Sequence, residues 1–176
     1  MVTKVYSLLE ILSLSRTHVD IELLKQAVEI ARLARQHGNH PFGALLADSE
    51  GNVLLTAENT VVTERDCTGH AETNLMRLAS RQFSPEFLKQ CTLYTSTEPC
   101  AMCSGAIYWG GVGRVVFALS EAELYEMTGG DPENPTFSLP CREVFARGQR
   151  RVVVEGPADL PEAREVHRGF WHKNST

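Results

Sequence analysis

No apolar run in this sequence approaches the roughly 20 residues that a membrane-spanning helix needs, so the chain is not expected to cross a bilayer. Its most apolar N-terminal stretch, Leu8-Leu9-Glu10-Ile11-Leu12-Ser13-Leu14, carries Glu10 in its middle and shows no small-x-small cleavage site before Arg16. It reads as a short amphipathic helix or arm rather than a signal peptide. Positive charge is scarce as well. Seventeen Lys and Arg stand against 22 Asp and Glu, a formal charge of -5. That balance argues against a general binder of phosphate backbones, whose surface must be basic. The basic cluster from Arg147 to Arg151 reads equally as a strand flank. The cysteines, at positions 67, 91, 100, 103 and 141, are odd in number and widely spread. A disulfide framework is therefore not expected, and a reducing cytoplasm is the simpler home.

What the sequence does have is the balance of one globular domain, with 43% hydrophobic and 22% charged residues over 176 positions. It shows no internal repeat, low-complexity tract or interdomain linker. A single domain over residues 1–176 is expected, with an arm at 1–16, a core at about 20–155 and a C-terminal helix at 160–172. Thr17 or Asp20 fits the cap of a first helix, whose apolar positions from Leu23 to Ala34 recur at helical spacing until Gly38 ends it. Phe42–Ala47 and Val53–Ala57, joined by Ser49-Glu50-Gly51-Asn52, form a hairpin. A polar connection, Val61 to Thr68, leads to a helix bearing His70, Glu72, Leu75, Met76 and Ala79.

Cys91–Ser96 is a third strand, and Pro99 in a first turn opens a helix that Gly110-Gly111 breaks. Arg114–Ala118 is a fourth strand, followed by a short helix at Glu121–Met127. Thr128–Pro140, rich in Gly and Pro, reads as a long loop of the kind that carries function. Arg150–Val154 is a fifth strand and Pro161–Trp171 a last helix. The fold class is α/β, a three-layer α/β/α arrangement of a mixed five-stranded sheet with helices on both faces.

Two short stretches carry chemistry: Gly69-His70-Ala71-Glu72 and Glu98-Pro99-Cys100-Ala101-Met102-Cys103. His70, Cys100 and Cys103 supply three ligands, the number a catalytic Zn²⁺ takes when its fourth position is kept for water. Cys100 and Cys103, at i and i+3, share a helix face. In the first turn after Pro99, free N–H groups and the helix dipole favour their thiolates. Glu72, two residues past His70, can move protons to and from that water without holding the metal. A structural zinc site is the competing reading, with Cys67 as its fourth ligand, and Glu72 alone reads as a solvated helix residue. The joint pattern favours catalysis, since H-x-E followed by P-C-x-x-C is the signature of zinc-dependent nucleobase deaminases.

Pro41-Phe42-Gly43-Ala44, Asn59, His70-Ala71-Glu72 and the run from Leu93 to Trp109 resemble the cytidine-deaminase-like superfamily, most of all its bacterial guanine deaminases. The resemblance covers about residues 20–130 and extends more loosely to the end. It implies a five-stranded sheet flanked by helices, one zinc per chain, and a homodimer paired through helices near the zinc motif, with Ala106-Ile107-Tyr108-Trp109 as a contact. It also implies that Asn59 hydrogen-bonds the base, that Phe42 stacks on it, that the Ala71 N–H makes a second contact, and that Trp109 belongs to the pocket. Taken as residues alone, Phe42 and Trp109 read equally as core aromatics, and Asn59 as a turn residue at a strand end. Asp131 falls near the proton-shuttling acid of guanine deaminases, but in Met127-Thr128-Gly129-Gly130-Asp131-Pro132 rather than a Gly-Phe-Asp-Asp-like run. The C-terminal segment that closes those sites also differs, ending in His167-Arg168-Gly169-Phe170-Trp171-His172.

The same motifs occur in tRNA adenosine deaminases and fungal-type cytosine deaminases, so they fix the reaction more narrowly than the substrate. The expected function is zinc-dependent hydrolytic deamination of a small aminated heterocycle, guanine or a related nucleobase or nucleoside. A tRNA-editing adenosine deaminase is the alternative, disfavoured by the scarcity of basic residues. A catalytically inactive zinc-binding module is a third reading, against which the intact Glu72 argues.

Overall fold

The computed structural model describes residues 8–171, with side chains from residue 20 onward. The start of the expected arm and His172 lie outside the described residues. Helix α1 (Leu8–Gln36) leads into the hairpin β1 (Gly43–Ala47) and β2 (Val53–Glu58). Helices α2 (Val61–Glu64), α3 (Ala71–Gln82) and α4 (Pro85–Leu88) follow, then β3 (Thr92–Thr97), α5 (Ala101–Gly110) and β4 (Arg114–Leu119). The chain continues through α6 (Glu121–Thr128), α7 (Cys141–Ala146), β5 (Val153–Glu155) and α8 (Pro161–Glu165). The sheet order is β2-β1-β3-β4-β5, with β1 antiparallel to both neighbours and β3, β4 and β5 parallel. This is the expected mixed sheet with helices on both sides.

Period-two alternation builds the two cores. Strands β1, β3 and β4 are buried along their whole length, as central strands covered on both faces must be. Leu46, Leu93, Val115 and Phe117 turn to one side and cluster with Leu75 of α3, Ile107 of α5 and Phe145 of α7. Leu45, Tyr94, Val116 and Ala118 turn to the other and cluster with Leu24 and Val28 of α1 and Ala163 of α8. Each fully buried side chain of this size contributes roughly 1.5–3 kcal/mol. Gly43 lets α1 lie directly on β1, because a Cβ there would stand 2.4 Å from the Ala31 nitrogen and 2.5 Å from the Ala27 oxygen. The half-exposed edge strands β2 and β5 bound the sheet.

Several expectations are corrected. Helix α1 runs through Thr17 and Asp20, so neither is its cap. Asp20 is instead buried and accepts hydrogen bonds from Arg114 and from the Tyr94 hydroxyl. The polar connection after Asn59 contains α2, and Pro99 lies just outside α5, whose N-cap is Cys100. A helix, α7, forms at Cys141–Ala146 directly after the long loop. The fifth strand is confined to Val153–Glu155, and the last helix ends at Glu165, with turns carrying the chain on to Trp171.

Candidate metal centre and active site

Parallel strands β3 and β4 end side by side, and the site lies just beyond their carboxyl ends, where open α/β sheets place ligands. The Glu98 N–H donates to the Leu119 carbonyl at 2.7 Å, holding the two strand exits together. The Glu98 carboxylate then accepts the backbone N–H groups of Glu121 (3.2 Å) and Cys141 (3.0 Å), tying the starts of α6 and α7 to the end of β3. From Glu98 the chain turns through Pro99 into α5. Cys100 is the N-cap, and Cys103 is buried in the first turn.

His70 is the N-cap of α3. Asn74 fixes that helix start, its Nδ2 donating to the Glu58 carbonyl, the Thr60 hydroxyl and the Gly69 carbonyl at 3.0, 3.0 and 3.2 Å. Two helix starts therefore converge. His70 Nδ1 stands 3.6 Å from Cys100 Sγ and 3.6 Å from Cys103 Sγ. A tetrahedral zinc with ordinary Zn–N and Zn–S lengths separates its nitrogen and sulfur ligands by roughly 3.6 Å, so the donor set and its spacing fit that ion. Among the described residues, this is the one group of three or more His, Cys, Asp or Glu side chains with metal-holding spacing. Cys67 is exposed and outside the group. The fourth ligand of a closed structural site is thus not supplied by the residue the sequence offered for it.

The electrostatics suit a metal. The Cys100 thiol is pulled down to about 4 by its hydrogen bond with Cys103 and then by His70, while the Cys103 thiol is held well up by the same hydrogen bond and by burial. One proton is shared between two sulfurs that a cation would bind as thiolates. His70 is raised, first by its hydrogen bond to Cys100. Glu72 lies on the buried face of α3, and burial raises its pKa, with Cys100 adding to the rise. The Thr95 hydroxyl meets Glu72 Oε1 at 2.9 Å.

A cavity of about 340 Å³ opens beside these groups, and His70, Glu72 and Cys100 line it. Phe42 lines the same cavity, and its ring lies 5.3 Å from the ring of His167. Asn59 is fully buried, and its Oδ1 accepts the Val61 N–H at 3.1 Å. Asn59 Nδ2 has no partner among the described residues. Ala71 is the first residue of α3, where a backbone N–H has no acceptor within its own helix.

Neither Asn59 nor Ala71 is among the residues that line the cavity, and two further expected site residues are placed elsewhere. Trp109 is 85% exposed at the far end of α5 and does not line the cavity. It lies two residues past the buried Ile107, on the opposite side of the helix. Asp131 is buried outside the cavity lining, and its Oδ1 accepts the Glu133 N–H at 2.9 Å.

The polar groups of the lining that the sequence reading missed include Thr97, Glu98, Glu121, Glu133 and His40. The Glu121 carboxyl is pushed up to about 7 by burial and then by the Cys100 thiolate; a divalent cation at the ligands would oppose that second contribution. Glu133 pairs with His40 Nε2 at 3.4 Å. His40 in turn packs edge-on against Phe170 and tilted against Trp171, with ring centroids 6.0 and 5.5 Å away. The signal for Glu98 and Glu121 was their place immediately after parallel strands. For Glu133 it was the long loop, which forms one wall with Asn134, Pro135, Thr136 and Phe137.

The chain compares with known proteins as follows. The family model for the cytidine and deoxycytidylate deaminase zinc-binding region matches residues 17–119. The Schizosaccharomyces pombe protein named "Probable cytosine deaminase" is 40% identical over 152 residues, 86% of this chain and 92% of that protein. Guanine deaminase of Bacillus subtilis is 38% identical over 104 residues, 58% of this chain and 66% of that protein. A solved structure from a study of A-to-I editing by tRNA:A34 deaminases superposes with a TM-score of 0.62 at 25% identity, covering 83% of this chain and 99% of that one.

Proposed function

The chain belongs to the cytidine and deoxycytidylate deaminase zinc-binding family and is a hydrolytic deaminase of C–N bonds; on that premise we propose that it acts on a small, flat aminated heterocycle and releases ammonia. The substrate class is guanine or a related nucleobase or nucleoside, with cytosine-like rings next. The observation that carries the reading is the convergence of His70 Nδ1 on two thiols, 3.6 Å from each, with the buried Glu72 lining the same cavity.

His70, Cys100 and Cys103 would hold zinc, which would supply the Lewis acidity that makes water nucleophilic near neutral pH. Glu72 would take one proton from the attacking water and pass it to the ring nitrogen, then take the second from the hydroxyl now on the ring carbon and pass it to the departing amino group, which leaves as ammonia. Its raised pKa suits a group that must both accept and return a proton near neutrality. Phe42 stacks on the ring. Asn59 turns its unpartnered Nδ2 to a ring acceptor, and the Ala71 N–H makes a second contact. Asp131, outside the cavity lining, supports the loop wall by accepting the Glu133 N–H rather than carrying a proton to the substrate.

Two observations support a small molecule over a nucleic acid. The cavity lining holds no Lys or Arg. In the basic cluster and its neighbour Arg142, three guanidinium groups are committed internally, Arg142 donating to the Val154 and Gly156 carbonyls, Arg147 to Glu143, and Arg150 to the Val112 and Tyr108 carbonyls, which leaves Arg151 as the exposed cation of the cluster. The exposed Trp109 fits a different role. With Met102, Gly105 and Ala106 it forms an apolar stripe at helical spacing along α5, which we assign to a homodimer contact, checked by sedimentation. No helix of the described residues is long and apolar enough to cross a membrane, and the reduced thiol ligands suit a cytoplasmic location. The deciding experiment is ammonia release from zinc-loaded protein with guanine, guanosine, cytosine, cytidine, adenine and a tRNA anticodon hairpin. Turnover of a free base or nucleoside is expected; activity on the hairpin alone would overturn the small-molecule reading.

A further inference from the structure

We propose that Glu121 is a specificity-determining residue of the cavity, accepting a hydrogen bond from an N–H group of the substrate and turning away substrates that carry a phosphate. The inference rests on the reading that the cavity takes an aminated heterocycle, and it narrows that class to unphosphorylated bases and nucleosides.

Four carboxyl side chains line the cavity: Glu72, Glu98, Glu121 and Glu133. Three of them have work within the protein. Glu72 meets the Thr95 hydroxyl, Glu98 holds two backbone N–H groups, and Glu133 pairs with His40. The Glu121 carboxyl meets no hydrogen-bond donor among the described residues and faces the same space as Glu72 and His70. Its backbone is nevertheless held firmly. Glu121 is the first residue of α6, whose start is locked by the Ser120–Glu123 capping box, and its own N–H is bound by Glu98. A fixed backbone that presents an unpartnered carboxyl to a cavity is the arrangement of a recognition group.

A second group points to the same ligand. Thr97 lines the cavity and is only 3% exposed, and its hydroxyl has no partner among the described residues. Buried polar atoms are ordinarily satisfied, so an unpaired hydroxyl on a residue of the same lining is a second group available to a polar atom of a bound molecule. In its ionised form, which a donor from the ligand favours, the Glu121 carboxyl can only accept, and the donors on an aminated heterocycle are its N–H groups. A phosphate would add close to two negative charges to a cavity with four carboxyls and no Lys or Arg in its lining.

The test uses zinc-loaded wild type and Glu121→Gln with three guanine probes (base, nucleoside and 5′-monophosphate) and the three cytosine counterparts. Wild type is expected to show kcat/KM for the monophosphate at least about 100-fold below that for the base or nucleoside, since like-charge contact is strongly unfavourable. Glu121→Gln is expected to raise KM for the preferred probe by about 10-fold, with a smaller change in kcat, and to narrow the monophosphate gap. Glu121→Asp keeps the charge but retracts it, so it should raise KM and preserve the gap; it also serves if the Gln variant does not fold. Monophosphate turnover equal to that of the nucleoside, or a Gln variant with unchanged KM and gap, overturns the proposal. If wild type turns over none of the six, the deaminase substrate reading fails separately, and calorimetric binding of the same probes decides the role of Glu121. Binding of base or nucleoside without the monophosphate supports it; equal binding, or none, overturns it.

Discussion

The Thr95 hydroxyl oxygen stands 2.9 Å from Glu72 Oε1 and 3.0 Å from the Thr97 carbonyl oxygen. A hydroxyl has one hydrogen to donate, so it serves these two acceptors in turn. With Glu72 ionised, Thr95 donates to the carboxylate. With Glu72 protonated, the carboxyl donates to Thr95 and the Thr95 hydrogen swings to the Thr97 carbonyl. Both states of the proton carrier are satisfied without displacing a side chain.

Removing that hydroxyl should therefore cost turnover rather than metal or substrate affinity. Thr95→Val is expected to lower kcat by about 10-fold, with KM and zinc content little changed, and Thr95→Ser to restore most of it. Glu72→Gln should retain zinc and lose at least about 100-fold in kcat. A Val variant with wild-type kcat would remove Thr95 from the proton path.

The metal set makes a second prediction. Purified protein should hold about one zinc per chain. His70→Ala and Cys103→Ser should each lose it, while Cys67→Ser keeps it, because Cys67 lies outside the converging group. Zinc content by atomic absorption decides the matter. Loss of metal from the Cys67 variant with the fold intact would restore the structural-site reading.

The parts legible in sequence were those set by local pattern. Short apolar runs bounded by turn residues gave β1, β3 and β4, and the motifs gave a helix start at His70 and another near Pro99, which the structure moves to Cys100. What was not legible depended on tertiary partners. Asp20 has the composition of a cap, yet its partner is Arg114, 94 positions away in the chain. Trp109 sits in a run that resembles a pocket motif, but helical geometry turns it away from the buried Cys103–Ile107 face. Glu121 looks like any acid in a first helical turn. Only the parallel pairing of β3 with β4 brings it beside the metal ligands.

Arg114 anchors the fold at the end of the sheet away from the site. Its guanidinium binds Asp20 at 2.9 and 2.6 Å and Glu155 at 2.9 and 2.7 Å, joining α1, β4 and β5. Asp20 and Arg114 are both buried, and removing the Asp20 charge leaves the guanidinium with the half-exposed Glu155 as its one carboxylate partner. Asp20→Asn is expected to cost about 3 kcal/mol, read as a shift in the urea unfolding midpoint. KM should not move, since Arg114 opens β4 and the cavity lies beyond the other end of that strand, roughly 17 Å away at strand rise. An unfolding curve that superposes on wild type would show the network to be dispensable.

His167 gives the fold a pH dependence whose sign can be worked out. The residue is 1% exposed, its Nδ1 accepts the Trp171 Nε1–H at 3.2 Å, and its Nε2 has no partner among the described residues. Burial, then Arg35, pushes its pKa down to about 3. The folded protein thus keeps the imidazole neutral, while the unfolded chain protonates it below about 6.5. Between those values the unfolded state binds the extra proton, so stability rises with pH and is lost as pH falls below 6.5. The full effect of one proton is about 1.4 kcal/mol per pH unit. His167→Asn keeps an acceptor for Trp171 but does not titrate. Urea unfolding between pH 6.5 and 5, above the range where most carboxylates protonate, should show a wild-type slope steeper than the variant's by close to one proton. Equal slopes would mean that His167 is not held neutral in the folded protein.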